Sequence, residues 1–266
     1  MKKTLRRIAP VALVLFGLTA LSFMAKDGIT LRLKPQQGKT YTITSKANMM
    51  MMMMEVQGQT MNQTQNMEYR QSFTAKDVTA KDVQFETKIE ALKMSISQMG
   101  MKLEYDSEHP EKTSPMLAGQ TKEMDEAINK TGTIKYDVMG NVIDSLDLEM
   151  SQLGGVIIQL PEKELSVGST WNVDKSQNVS GSEMNVHYTY TVTSISKKSV
   201  DLNVTGNVTG KGAEEISGNY NGTASIDPQQ GFITKSSLKS NLSMTLNEQG
   251  MSIPVTIVGN TTVEVK

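Results

Sequence analysis

The chain has no cysteine, a single tryptophan and two histidines among its 266 residues, and only 5% of them are aromatic. With no thiol there is no disulfide and no cysteine-linked lipid anchor, so the fold has to rest on burial and hydrogen bonding. The two histidines, His109 and His187, lie far apart, and no His-Glu-x-x-His pair occurs. Calcium-loop, phosphate-cradling glycine and Gly-x-Ser-x-Gly elbow patterns are absent as well. That removes the metal, nucleotide and hydrolase signatures a sequence can carry. One tryptophan gives little to stack on sugar rings, so a two-carboxylate glycosidase is disfavoured. The formal net charge is −1 with no block of basic residues, which argues against nucleic acid as a partner. The sequence implies no cofactor and no metal, and it reads as non-enzymatic.

What is present begins with Lys2, Lys3, Arg6 and Arg7, followed by an apolar stretch over residues 11–25. A basic start, a short apolar run and small residues at Ala20 and Ser22 have the form of a secretory leader, too short for a comfortable membrane span. Cleavage is expected after Ser22, with Ala25 as the alternative. Cutting after Ser22 leaves 244 residues and moves the formal charge from −1 to −5. No later apolar run is long enough to cross a membrane as a helix. The expected protein is exported, periplasmic or secreted, with residues 23–266 forming one β-rich domain.

Alternation of apolar and polar residues dominates the rest of the chain. Met184, Val186, Tyr188, Tyr190 and Val192 face one way, and Asn185, His187, Thr189, Thr191 and Thr193 the other. Val200, Leu202, Val204 and Val208 repeat the pattern, as do Leu238, Leu242, Met244 and Leu246, then Val255, Ile257, Val263 and Val265. Strands of this kind build an antiparallel sheet that is dry on one side and wet on the other. Earlier, Met61, Met67, Tyr69, Phe73 and Ala75 share odd positions. Val83 and Phe85 open a strand whose apolar positions then shift to the even Leu92, Met94 and Ile96, which predicts a bulge near Glu90. Residues 116–130 carry helical choices, with Met124, Ala127 and Ile128 at helical spacing. Leu146, Met150, Leu153, Ile157 and Leu160 recur at steps of four and three, predicting a helix from Asp144 or Ser145. Gly154-Gly155 weakens it by about 1 kcal/mol per glycine, so two outcomes are open: the helix ends at that pair and leaves 156–160 extended, or it runs on to Pro161, which stops it in either case.

Two stretches have one form. Gly38-Lys-Thr-Tyr41-Thr-Ile43 and Gly168-Ser-Thr-Trp171-Asn-Val173 each place a glycine turn and a large aromatic before a strand. Each run of strands ends near a similar turn, Asp137 to Gly140 and Asp227 to Gly231. The expected fold is mainly β: a large antiparallel curved sheet or half-barrel, with a sandwich as the alternative. It is built from two similar β units, about 31–143 and 162–266, joined by a helical connector at about 144–160, and one or two helices fill its concave face.

The Gly-x-x-Tyr opening, the junction Pro161-Glu-Lys-Glu-Leu-Ser-Val-Gly168-Ser-Thr-Trp171 and the Asp227 to Gly231 turn resemble a family of uncharacterised bacterial envelope proteins. That family is known as a domain of unknown function. The resemblance covers nearly the whole chain after the leader, and it implies export and a β-rich fold, with no established activity or site. In architecture alone, a twisted sheet with helices on its concave face looks like the periplasmic lipoprotein-carrier half-barrel, and fold does not fix function.

The most unusual local feature is the six consecutive methionines at 49–54. In a strand, Met49, Met51 and Met53 share one face. Three readings are open: a buried hairpin arm in which methionine fills gaps, a flexible apolar ligand surface, or thioether capture of Cu(I). The last is weakest, because no histidine or cysteine is near the run. Tyr41 and Trp171 stand at equivalent places and are either ligand contacts or core anchors of their sheets, with large aromatics favouring the latter. With Leu153 and Ile157 of the expected helix, Met49, Met51, Met53, Tyr41 and Trp171 make up the candidate ligand-binding set. Eight Asn-x-Ser/Thr triplets occur, and in so Asn/Thr-rich a chain they read as sheet-surface composition.

Three functions fit these residues. The first is an exported, non-enzymatic envelope protein that binds or carries an apolar small molecule or lipid. The second is a structural or protein-interaction module with an envelope protein partner, pairing through an edge strand. A hydrolase is the third and weakest.

Overall fold

In the computed structural model the described residues are 28–56, 59–117, 121–146, 155–179, 182–211, 215–248 and 251–266. The leader-like segment, both candidate cleavage points and residues 147–154 of the expected helix, Leu153 among them, lie outside them. Twelve strands form one antiparallel sheet. The first six are β1 (Thr40–Val56), β2 (Gln59–Val78), β3 (Asp82–Gln98), β4 (Met101–Asp106), β5 (Thr131–Asp137) and β6 (Val142–Leu146). The second six are β7 (Thr170–Val179), β8 (Ser182–Ile195), β9 (Val200–Lys211), β10 (Glu215–Ile226), β11 (Ile233–Glu248) and β12 (Met251–Val265).

Each half is a meander of neighbouring strands, and the sheet order is β6-β5-β3-β2-β1-β12-β11-β10-β9-β8-β7. The seam between halves is the pairing of β1 with β12, from Ile43 opposite Val265 to Met53 opposite Val255. β4 lies off this path and pairs with the far end of β3. The parity shift at Glu90 is a bulge: Gln71 faces Ile89 and Arg70 faces Ala91, leaving Glu90 as the extra residue.

The core sits on one face, called the inner face below, and at one end of the strands. Tyr41, Phe73, Phe85 and Ile134 pack there in the first half, and Trp171, Tyr190, Val192, Leu202 and Ile226 in the second. Strand side chains alone do not fill this space. Leu31 and Leu33 enter from the segment before β1, Val156 to Leu160 and Leu165 from the connector, and Phe232 from the β10–β11 turn. Phe232 lies edge-on to Tyr41 and Phe73, with ring centroids 5.0 and 5.6 Å apart.

One peptide of the connector records how strongly the sheet curls. The Trp171 indole N–H donates to the Gln159 carbonyl at 3.0 Å, and the Leu160 N–H donates to the Met139 carbonyl at 2.7 Å. Trp171 opens β7 at one flank, and Met139 lies in the β5–β6 turn at the other. In a flat sheet β7 and β5 would lie about 43 Å apart. Here they meet across a single peptide group, so the filled end closes on itself as a half-barrel.

The structure corrects the two ends of the helix expected at 144–160, and its middle, residues 147–154, lies outside the described residues. Asp144 to Leu146 belong to β6, paired with β5, and 155–160 are irregular and extended. Gly155 has φ +82°, a backbone that halts a right-handed helix, and Val156 and Leu160 spend their backbone groups on Ile233 and Met139. Helix is limited among the described residues to α1 (Lys122–Ala127) and two single 3-10 turns, Pro110–Lys112 and Pro115–Leu117. Ile29, Leu31 and Leu33 alternate with Thr30 and Arg32 as in a strand, but the segment forms one bridge, Ile29 to Leu165.

The two matched turns do the same work. Asp137 accepts hydrogen bonds from the backbone N–H groups of Met139 and Asn141, and Asp227 from those of Gln229 and Gln230. Each ends in a left-handed glycine pressed on a core segment. A Cβ on Gly140 would stand 2.2 Å from the Ile158 carbonyl oxygen, and one on Gly231 only 1.9 Å from that of Arg32. Gly38, equally left-handed, has open space around it. Gly38→Ala should therefore cost about 1–2 kcal/mol from backbone strain alone. Gly140→Ala and Gly231→Ala should each cost roughly 1–3 kcal/mol more, because backbone must move. Urea unfolding midpoints check this, and equal losses at all three sites would refute the close-contact account.

Candidate functional site

The inner face changes character along the strands. Near the filled end Tyr41, Ile43, Phe73, Val263, Leu202 and Val192 are buried. Farther along, the same face carries Met49, Met51, Met53, Met61, Met67, Leu92, Met94, Ile96, Ile257, Leu242 and Met244, all only half-buried. Register places them side by side: Met51 lies between Gln63 of β2 and Ile257 of β12, which in turn faces Leu242 of β11. The result is an apolar surface that runs on beyond the segments covering its other end. Between the two zones lie the buried polar side chains of Ser45, Gln71, Thr87 and Ser236. Ser45 Oγ and Gln71 Nε2 have no hydrogen-bond partner in the structure.

Toward β7 the inner face becomes aromatic. Trp171 stacks on Tyr190 at 5.0 Å, and Tyr188 stacks on Tyr190 at 6.1 Å and on Tyr220 at 6.0 Å. Tyr188 and Tyr220 both pair with Gly206 on the strand between them, so their rings meet over a residue without a side chain. Burial and the neighbouring Tyr220 push the Tyr188 hydroxyl up to about 12, so both phenols stay protonated donors.

The outer face is mostly polar, although Met50 and Val258, opposite each other at the β1–β12 seam, are exposed there. Lys46 pairs with Glu68 at 3.1 Å, Arg70 with Glu90 and Glu108 at 3.1 and 2.8 Å, and Lys93 with Glu108 at 3.0 Å. His187 bonds Asp174 at 2.6 Å on the same exposed side. Among the described residues no group of three or more His, Asp or Glu side chains could hold a metal ion.

The structure separates the candidate ligand residues into two sets. Tyr41, Trp171 and Ile157 are enclosed in the filled end, at 2, 8 and 5% exposure. Met49, Met51 and Met53 lie on the half-open apolar surface, and Leu153 lies outside the described residues. Sequence reasoning did not single out Leu242, Met244 and Ile257, which β11 and β12 bring beside the methionines. Only the β1–β12 seam reveals that proximity. Lys175 was missed too, although it continues the Trp171, Val173 parity.

Residues 147–233 match the profile of a family of unknown function (DUF6263). That is about a third of the chain, not the nearly complete coverage expected from the sequence resemblance. No curated protein matches. Among solved structures, lipovitellin, in a structure of its lipid–protein interactions, is similar at 12% identity and a TM-score of 0.49. That likeness covers 87% of this chain and 25% of the lipovitellin chain, so the protein spans a quarter of its length. An outer-membrane channel from Pseudomonas putida F1 is similar at 7% identity and a TM-score of 0.27, covering 88% of this chain and 97% of that one. At these values neither likeness bears on function. Among the described residues no helix is long and apolar enough to cross a membrane.

The outer ion pairs make a pH prediction. Hydrogen bonds from Arg70 and then Lys93 hold the Glu108 carboxyl down at about 2, below its ordinary value of 4.5. A depressed folded value adds stability that is fully present above 4.5 and is lost as pH falls toward 2. Wild type should be more stable than Glu108→Gln at neutral pH, and the gap should close between pH 4.5 and 2. Paired thermal melts across that range check it. A gap that stays constant with pH would remove the ion-pair explanation.

Proposed function

We propose that the protein is an exported, non-enzymatic binder or carrier of apolar, lipid-like molecules, and that the open half of the inner face is its ligand surface. One observation carries this reading: a single face of one sheet passes from fully covered to half-exposed and still carries a broad group of apolar side chains there, interrupted by Gln63, Gln65, Ser240 and Thr261. Soluble chains seldom leave a large apolar patch uncovered unless something occupies it. Methionine suits the task, because its unbranched thioether adapts to ligands of varied shape. Export is supported by the basic and apolar N-terminal residues.

A structural role remains the second reading, favoured by one feature. Among the described residues β7 pairs only with β8, so its ten residues form an open sheet edge that a partner strand can join.

Solvent extraction and mass spectrometry of the purified protein should reveal co-purified lipid, and a neutral apolar dye such as N-phenylnaphthylamine should bind saturably. Placing carboxylates in the apolar track by Met51→Asp with Leu242→Asp should weaken dye binding by about tenfold or more. The far-UV spectrum should be unchanged. Lipid-free extracts together with no saturable dye binding would sink the carrier reading, and a specific crosslinked partner along β7 would support the second.

A further inference from the structure

The inner face has a charge distribution that composition hides. Lysine, arginine, aspartate and glutamate side chains of the strands crowd the outer face, as in the pairs Lys46–Glu68, Lys76–Glu86 and Lys135–Asp82. Among strand residues whose side chains are described, Lys175 is the one charged group that register assigns to the inner face. It follows Trp171 and Val173 on β7, both buried, and stands opposite the buried Val186 of β8. Asp174, its neighbour in sequence, points the other way and is taken up by His187. No acidic partner of Lys175 occurs among the described residues.

Its surroundings are those of a rim. β7 is the sheet edge, so one side of Lys175 is open, and its side chain is exposed. On the other side, Tyr188 is a diagonal neighbour on β8, close enough for long side chains to share a target. Tyr220 stacks on Tyr188 at 6.0 Å, and no hydrogen bond engages either hydroxyl among the described residues. Crowding by apolar neighbours, with no acid to offset it, lowers the Lys175 ammonium below its ordinary value. From this point the inner face continues through the buried Val186 and Val208 and past Gly218 to the half-buried Leu242, Ile257 and Met51. A cation and two phenol donors thus stand at one end of an apolar track.

We infer that the ligand is an amphiphile with an anionic head, held at the rim by Lys175 with Tyr188 and Tyr220 while its tail lies along the inner face toward the methionines. This rests on the carrier reading and narrows it to one class of ligand. Charge complementarity selects that occupant: an anionic head would pair with Lys175, the one charge that register assigns to the inner face among the described side chains, and a cationic one would be repelled by it.

The test compares oleate with methyl oleate, the same chain with and without the negative charge, as displacers of N-phenylnaphthylamine from the full chain. Inorganic phosphate serves as a head without a tail. Oleate should displace the dye about tenfold more effectively than methyl oleate, the size expected for a charge-assisted contact. Lys175→Met should erase that preference while dye binding persists, Lys175→Arg should keep it, and phosphate alone should displace nothing. If both esters and acids displace the dye equally, the anionic head is wrong and the apolar surface stands. If neither displaces it and no dye binds, the carrier reading itself has failed. Displacement by phosphate alone would overturn the amphiphile in favour of a bare anion. A Lys175→Met variant that keeps the oleate preference and only self-associates would assign Lys175 to guarding the edge strand, and that too would overturn the proposal.

Discussion

A sheet cannot bury its own inner face, and this one is too wide to be closed by strand side chains. Everything else in the molecule follows from how that deficit is met. Three stretches outside the strands bring Leu31, Leu33, Val156, Ile158, Leu165 and Phe232 onto the inner face, each almost completely buried. Full burial of such a side chain contributes about 1.5–3 kcal/mol, enough to offset the cost of ordering irregular backbone, about 1–2 kcal/mol per residue. All three stretches act at one end. The filling is dense there and stops, so the unfilled half is a product of topology, where the segments before β1 and before β7 happen to enter.

The two halves share a plan and differ in use. Each opens on a buried aromatic after a left-handed glycine, and each presents an Asp-anchored turn to a core segment. The first half departs from the plan with β4, the 3-10 turns and α1, which Tyr105 ties together by donating to Asp125 at 2.7 Å. It also carries the methionines. The second half places Gly206, Gly218 and Gly222 on its inner face, and Tyr188 and Tyr220 meet over Gly206. One half thus offers adaptable thioethers and the other flat rings and donors. That division is what gives the proposed ligand a direction.

Much of this could be read from residue order. Alternation located the strands, and the odd-to-even switch between Phe85 and Leu92 located the bulge at Glu90, because a one-residue insertion must flip parity. The helix expected at 144–160 misled at both ends for a definite reason. Leu146, Met150, Leu153, Ile157 and Leu160 have helical spacing, but Val142 to Leu146 gain more by completing the β5 edge, and Gly155 adopts a backbone that no helix continues. The pairing of β1 with β12 left no local trace, since register between distant strands is decided by the whole sheet. The ligand surface was therefore half legible: the methionines were evident, and their neighbours Leu242 and Ile257 were not. Lys175 was visible only as a polar residue in an apolar parity, a signal that gains meaning once the described side chains of the inner face prove otherwise uncharged.

The seam has a kinetic consequence. Every other pairing in the order joins strands close in sequence, but β1 and β12 bring together residues as distant as Ile43 and Val265. Local meanders form early and contacts of such long range form late. Until the seam zips, each chain displays two long unpaired edges, 17 residues on β1 and 15 on β12. The β1 edge of one molecule is as good a match for the β12 edge of another as for its own. At high concentration during refolding, exchange of halves between chains competes with closure, and the product would be a swapped dimer or an open chain of copies with native register throughout.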